Sequence, residues 1–457
     1  MVAAVAVVIA VMAGRGHEQV PLPGIGQPAK AGDPFAYVSS REAAFQDRVI
    51  AGEGHVLFTA SPGGAVATAA RVAKLRPLID AATANSGVDP NTLEAIVFLE
   101  SAGRPDAMAG NDPAVASGLT QILAQTGQSL LGMHIDLVAS GRLTAQIDRA
   151  SGNDQAALAA RLERRRAAVD DRFNPRKALA ATVRYLRLAQ RRFGRPDLAV
   201  ESYHMGIGNL QHVLELYDGG KPVSYTRLYF DTAPDRHDAA FNLLASFGDD
   251  SSLYYWRILG AAQIMRLYRA DRPALARLAS LQVASGSSAE VLHPPDRTPA
   301  FSGPDALYDA YAKRELVRLP SNASQLGLSY SAGIGAQAKA LKVPAALYRG
   351  LRPAAVDLLV ELAARVRTLS GGAGRLIVTS AVTDSRYQSA LGGADRSATT
   401  GYSFTIARRY VNRSQAAAFQ AMLDRLQALN VIAWERFTGV IEVTVASDAS
   451  HVVVDGP

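Results

Sequence analysis

Residues 91–103 read NTLEAIVFLESAG, and this stretch decides the reading of the chain. Ile96, Val97 and Leu99 form an apolar run that a helix would largely bury, and Glu100 closes it. Ser101-Ala102-Gly103 then breaks the pattern, so Glu100 is expected at a helix terminus beside a core. A carboxyl in such surroundings has its charged form disfavoured, and its pKa rises. A proton held near neutral pH is available for donation as a general acid. Taken alone, the same pattern fits an ordinary surface glutamate near a helix end.

Outward from this stretch, the chain reads as mostly helical from about Ala65 to Arg277. Ala-rich amphipathic segments recur, broken by Gly87 to Pro90 and by Gly194 to Pro196. Residues 161–171 (RLERRRAAVDD) form a charge run that reads as a solvated helix face. Upstream, Val2 to Ala13 is an unbroken apolar run of twelve residues. That suits the apolar region of a signal peptide and is short for a membrane span, which needs about 20 residues. Downstream, residues 286–303 are rich in Ser, Pro and Gly. Beyond them, Arg375 to Ser380 and Val440 to Val445 read as strands, with His451 to Val454 as a third candidate. Ser414 to Leu429 reads as a helix between them, so this part is expected to be a small α+β unit.

The 457 residues are too many for one ordinary core, and 48% apolar with 19% charged is a globular balance. The net charge of +7 favours an acidic partner, but no basic stripe interleaved with aromatics is present, which argues against nucleic acid. The absence of cysteine excludes disulfides, thiolate metal sites and lipidated cysteine.

Three motifs follow in order along the chain. The first is Glu100-Ser101, the second Ser117-Gly118-Leu119-Thr120-Gln121-Ile122, and the third Ala199-Val200-Glu201-Ser202-Tyr203-His204-Met205-Gly206. Together they resemble the soluble lytic transglycosylases, which share the goose-type lysozyme fold. Thr120 stands where that family usually has Met, and His204 where it has Asn. Phe173-Asn174-Pro175 followed by Tyr185-Leu186 fits the helix before the third motif. The resemblance covers roughly residues 75–275 and implies a mainly α, lysozyme-like catalytic domain with Glu100 as its acid. It implies substrate-binding roles for Ser101, Gly118, Gln121, Tyr203 and His204. Chemically, Gly118 permits a tight turn or close backbone approach to a sugar. The Gln121 amide suits saccharide hydroxyls and amides, or a backbone bond. Tyr203 is expected to hydrogen-bond Glu100 and offer its ring to the sugar, or else to be buried in the core. Ser101 suits backbone support better than attack. His204 either lines the groove or points into the helical core.

Most glycosidases use two carboxylates, and this motif set supplies one. Asp106 and Asp112, in the loop after Glu100, do not sit where the family places an acid. In the family, the 6-hydroxyl of N-acetylmuramic acid attacks C1 of the same sugar, so one carboxyl serves as acid and then base. This implies peptidoglycan glycan strands as partner, a 1,6-anhydro product, and no cofactor or metal. A water-adding lysozyme on the same fold and an inactive wall-binding scaffold are the competing readings.

Residues 375–454 resemble the VanY-like zinc D-Ala-D-Ala carboxypeptidases: residues 376–388 as strand and turn, residues 398–405 as a ligand segment, Asp448 to His451 as a terminal acid–His pair. Ala398 and Thr405 stand where that family has its His and Asp, which implies a degenerate, metal-free module. The expected organisation is a signal peptide or anchor at 1–20, a linker at 21–60, the lysozyme-like domain at 61–285, a linker at 286–310 and the α+β domain at 311–457. The chain is expected to be exported to the cell envelope, with membrane anchoring through residues 1–20 an open alternative.

Overall fold

A computed structural model describes residues 33–284, 287–372 and 374–450. The apolar run at residues 2–13 and the strand candidate at 451–454 lie outside these residues. Among the described residues no helix is long and apolar enough to cross a membrane.

The first part is helical. The helices that carry the argument are α1 (Glu42–Thr59), α2 (Ala65–Ala73), α3 (Pro90–Ser101), α4 (Pro175–Phe193), α5 (Pro196–Met205) and α6 (Tyr254–Ala270). Helix α3 starts where expected: Asp89 caps it by accepting from the Asn91 N–H, and Pro90 occupies its first turn. It ends at Ala102, which adopts a left-handed conformation with φ 53°. Leu93, Ile96, Val97 and Phe98 are buried, and they pack with Val72 of α2, Leu179 of α4, and Ile258 and Met265 of α6. Helix α6 is central to this part: it lies against α1, α2, α3 and α5.

Residues 42–59, read above as linker, form helix α1 and bury Phe45, Val49, Ile50, Leu57 and Phe58. Gly52 and Gly54 both lie within this helix. Gly52 allows close helix approach, since a Cβ there would lie 3.2 Å from the Gln427 carbonyl oxygen. The 286–310 segment is also partly ordered: Ser288–Leu292 and Pro304–Ala312 are helical, the latter crossing the expected boundary at 311. His293 between them is buried and stacks on Tyr402 at 4.0 Å.

The second part is α+β. A two-stranded ribbon pairs β1 (Val317–Arg318) with β3 (Gly350–Leu351). Five strands form the main sheet: β2 (Leu328–Tyr330), β4 (Leu376–Ser380), β5 (Ser403–Ala407), β6 (Ile432–Arg436) and β7 (Val440–Val445). Their order is β2-β4-β5-β7-β6, with β2 parallel to β4 and every other pair antiparallel. Val378, Phe404, Ile406, Ile441 and Val443 pack with residues of α7 (Pro353–Leu369) and α8 (Arg413–Ala428). The same apolar cluster continues into the helical part through Phe45, Phe230, Leu244 and Trp256. Polar ties reinforce that junction: Arg425 of α8 donates to the carbonyls of Phe35, Phe230 and Thr232, and Arg365 of α7 pairs with Asp33 and Asp235. A cavity of about 100 Å³ at the junction is lined by Tyr229, Leu244, Asp249, Met422 and Asp424, and it does not include Glu100.

Candidate active site

Glu100 occupies the last turn of α3 and is half-buried. Its Oε1 accepts a hydrogen bond of 2.7 Å from the Tyr254 hydroxyl, at the start of α6. Burial pushes the Glu100 carboxyl up to about 7, and the Tyr254 hydrogen bond pulls in the opposite direction. The sequence reading anticipated the raised carboxyl but assigned its partner to Tyr203. The structure corrects this: the Tyr203 hydroxyl donates to the Thr120 carbonyl at 2.7 Å and lies 3.2 Å from Thr182 Oγ1. Tyr203 still belongs to the wall beside Glu100, because its ring stacks on Tyr254 at 6.4 Å and meets Tyr185 edge-on at 5.2 Å.

The second motif is a turn held by its own backbone and by its neighbours. Ser117 and Ile122 exchange backbone hydrogen bonds, and Gln121 adopts φ 47°. The Gln121 amide donates to the carbonyls of Ala107 and Gly118, so it supports the turn, and its Oε1 keeps its acceptor capacity. Gly118, with φ 79°, lets the backbone approach the chain itself: a Cβ there would lie 1.9 Å from the Arg172 carbonyl oxygen. Ser101 is 2% exposed, and its hydroxyl donates to the Leu119 carbonyl at 2.7 Å. Ser101 and Gly118 therefore hold the site together rather than meet a sugar directly. The motifs are joined in sequence: Ser101 to Leu119, Tyr203 to Thr120, and Tyr254 to Glu100.

His204 lies exposed, not in the core. Its ring stacks on Tyr254 at 5.2 Å, and its Nδ1 is 3.0 Å from the Ser251 hydroxyl. Burial by its neighbours pushes its pKa below the usual 6.5, opposed by Asp250. Asp106 and Asp112 are both exposed, and Asp112 accepts from the Ala114 N–H.

The segment between the second and third motifs folds as a helical hairpin, Leu137–Gly152 and Ala156–Val169, around Leu143, Ile147 and Leu162. The charge run is mainly a solvated face, with Arg161, Arg164 and Arg165 exposed. Arg166, Asp170 and Asp171 depart from it: all three are buried, and the Arg166 guanidinium lies 3.7 Å from the centre of the Phe173 ring.

In the α+β part, Thr405 lies on β5 with its hydroxyl 2.7 Å from that of Thr379. Asp448 pairs with Arg48 of α1 at 2.8 Å. His451 lies outside the described residues, and among those described no group of three or more potential ligands could hold a metal ion.

Tyr254 is a residue of the candidate site that the sequence reading missed. Removing its hydroxyl removes the group that lowers the Glu100 pKa. Tyr254→Phe should therefore raise that pKa above its present value, by about one to two units for a hydrogen bond to a charged group. Carbon NMR titration of the Glu100 carboxyl measures this directly. An unmoved or lowered midpoint would remove Tyr254 from the account.

Residues 77–140 match the family model described as the Transglycosylase SLT domain. The match takes in Glu100, Ser101, Gly118 and Gln121, and ends before Tyr203, His204 and Tyr254. A search of curated proteins gave no match.

Proposed function

We propose that this chain, which carries a soluble lytic transglycosylase domain and so acts in peptidoglycan degradation, cleaves the β-1,4 bond from N-acetylmuramic acid to N-acetylglucosamine. The observation that carries the reading is a single half-buried carboxyl, raised to about 7 by burial and held by an uncharged phenol. Glu100 gives its proton to the glycosidic oxygen as the C1–O bond breaks. The 6-hydroxyl of the same muramyl residue then bonds to C1, and its proton returns to Glu100. The product is a 1,6-anhydro sugar, and the nucleophile is already tethered, which avoids the entropy of capturing a water. Tyr203, His204 and Tyr254 form the aromatic wall beside the acid, and Gln121 presents its free amide oxygen. Residues 1–20 would direct export to the cell envelope, where this substrate lies.

Cleavage in water enriched in heavy oxygen tests this chemistry. The proposal requires fragments that carry no label from water. One labelled oxygen per cut would make the chain a hydrolase instead, and an absence of cutting would leave a wall-binding module.

The exposed His204, stacked on Tyr254, leads to a further expectation. With its pKa below 6.5 it is neutral at pH 7, and a neutral imidazole donates and accepts as an asparagine amide does. His204→Asn should retain cleavage at pH 7 within about threefold, and should lose an inflection of the rate profile below pH 6.5. A profile that keeps this inflection in the variant would exclude His204 from the groove.

A further inference from the structure

Behind the aromatic wall lies a carboxyl that the chemistry above does not use. Glu201 of α5 is 0% exposed. Its Oε2 accepts from the Tyr255 backbone N–H at 2.9 Å, and its Oε1 has no hydrogen-bond partner. Tyr255 is in the first turn of α6, where backbone N–H groups have no partner within the helix. The residue before it is Tyr254, whose phenol holds Glu100. Glu201 is also two residues from Tyr203 and three from His204 on α5. One side chain thus links the two helices that build the wall.

We infer that Glu201 is a positioning residue: its buried carboxyl ties the first turn of α6 to α5 and so fixes the Tyr254 phenol on Glu100. The inference rests on the reading in which Glu100 is the acid. The groups facing Glu201 come from two elements, the helix Tyr225–Phe230 and α6. The Tyr225 hydroxyl, from the helix Tyr225–Phe230, donates to the Ser252 carbonyl at 2.8 Å and lies beside the carboxyl. From α6 come Tyr254, which feels the Glu201 charge, and Arg257, which is engaged by Glu53 of α1 and by Asp250. Tyr185 of α4 holds the same turn of α5 by donating to the Ser202 carbonyl. Burial pushes the Glu201 carboxyl up to about 8, against the Tyr255 N–H, Tyr225 and Arg257. The group is therefore uncharged at neutral pH, and its ionisation above that point puts an unpaired charge behind Tyr254.

Glu201→Gln mimics the uncharged acid and keeps an acceptor for the Tyr255 N–H. Cleavage of purified peptidoglycan by the full chain should keep its kcat within about threefold at pH 6, where both forms are neutral. The alkaline limb should change. In the wild type, Glu100 and Glu201 both lose protons, so log kcat/KM falls with a limiting slope of about two above pH 8. In Glu201→Gln that slope should drop to about one, since only Glu100 still titrates. Glu201→Ala leaves the Tyr255 N–H unpaired, and should lower kcat about tenfold at unchanged KM, restored by Gln. A Gln variant with the wild-type alkaline slope, or with a kcat at pH 6 as low as that expected for Ala, would overturn the inference. If Ala does not fold, the Gln profile still decides. Glu100→Gln in the same assay separates the two claims: its cleaving would refute the underlying reading, whereas an inactive Glu100→Gln with an unchanged Glu201→Gln profile would refute only the role of Glu201.

Discussion

Glu100→Gln will remove glycan cleavage and leave the fold and wall binding in place. The amide matches the carboxyl in shape and can still accept from Tyr254, so the 2.7 Å contact has a substitute. It can neither give a proton to the glycosidic oxygen nor take one from the attacking hydroxyl. General acid–base groups contribute about 100- to 10,000-fold, and here one residue serves both steps, so the loss should reach the upper end of that range. The raised carboxyl sets the pH dependence as well. The wild-type rate should fall as pH rises through about 7, because the protonated form is the reactive acid. The measurement is turnover of purified peptidoglycan together with a pull-down on intact wall. A Gln variant that cuts within tenfold of the wild type would show that another group supplies the proton.

Gly118→Ala will unfold the site rather than tune it. Gly118 sits at φ 79°, a conformation that costs a residue with a Cβ about 1–3 kcal/mol. The new methyl would also lie 1.9 Å from the Arg172 carbonyl oxygen, which is backbone and cannot rotate away. Arg172 is itself immobile: its fully buried guanidinium donates to both oxygens of Asp170 and to the carbonyls of Pro113 and Val115. Moving that carbonyl strains a buried ion pair whose disruption costs about 3–5 kcal/mol. The expected loss of unfolding free energy is therefore above about 4 kcal/mol, read from chemical denaturation. A variant as stable as the wild type would mean that the Gly118–Arg172 approach does not exist in solution.

The place of Glu100 at the end of a buried helix was legible in the sequence because its signal is local. The apolar run before Glu100, its caps and the breaks after it all fall within a dozen residues, and α3 forms there. Strands β4 and β7 were legible for the same reason, since Val, Ile and Thr recur within five or six residues. Tyr254 was not legible: it reaches Glu100 across 154 positions, and before folding it is one of two adjacent tyrosines opening an apolar helix. Helix α1 fell within the segment read as linker, although it buries Phe45, Val49, Ile50, Leu57 and Phe58. Only the assembled fold shows α8 lying against Gly52. A backbone-supporting role was legible for Ser101 and open for Gln121, but their partners, the carbonyls of Leu119 and Ala107, were not, and neither was the approach of Gly118 to the Arg172 carbonyl, because these lie in distant turns. The family match stops at residue 140, so the third motif stands on its resemblance and on geometry, and Tyr254 on geometry alone.

The central claim is that the muramyl 6-hydroxyl, and not water, completes the cleavage begun by Glu100. Mass spectrometry of the fragments released from purified peptidoglycan tests it most directly. The account predicts fragments ending in 1,6-anhydro-N-acetylmuramic acid, produced by the wild type and absent with Glu100→Gln. Fragments ending in free reducing N-acetylmuramic acid would contradict it.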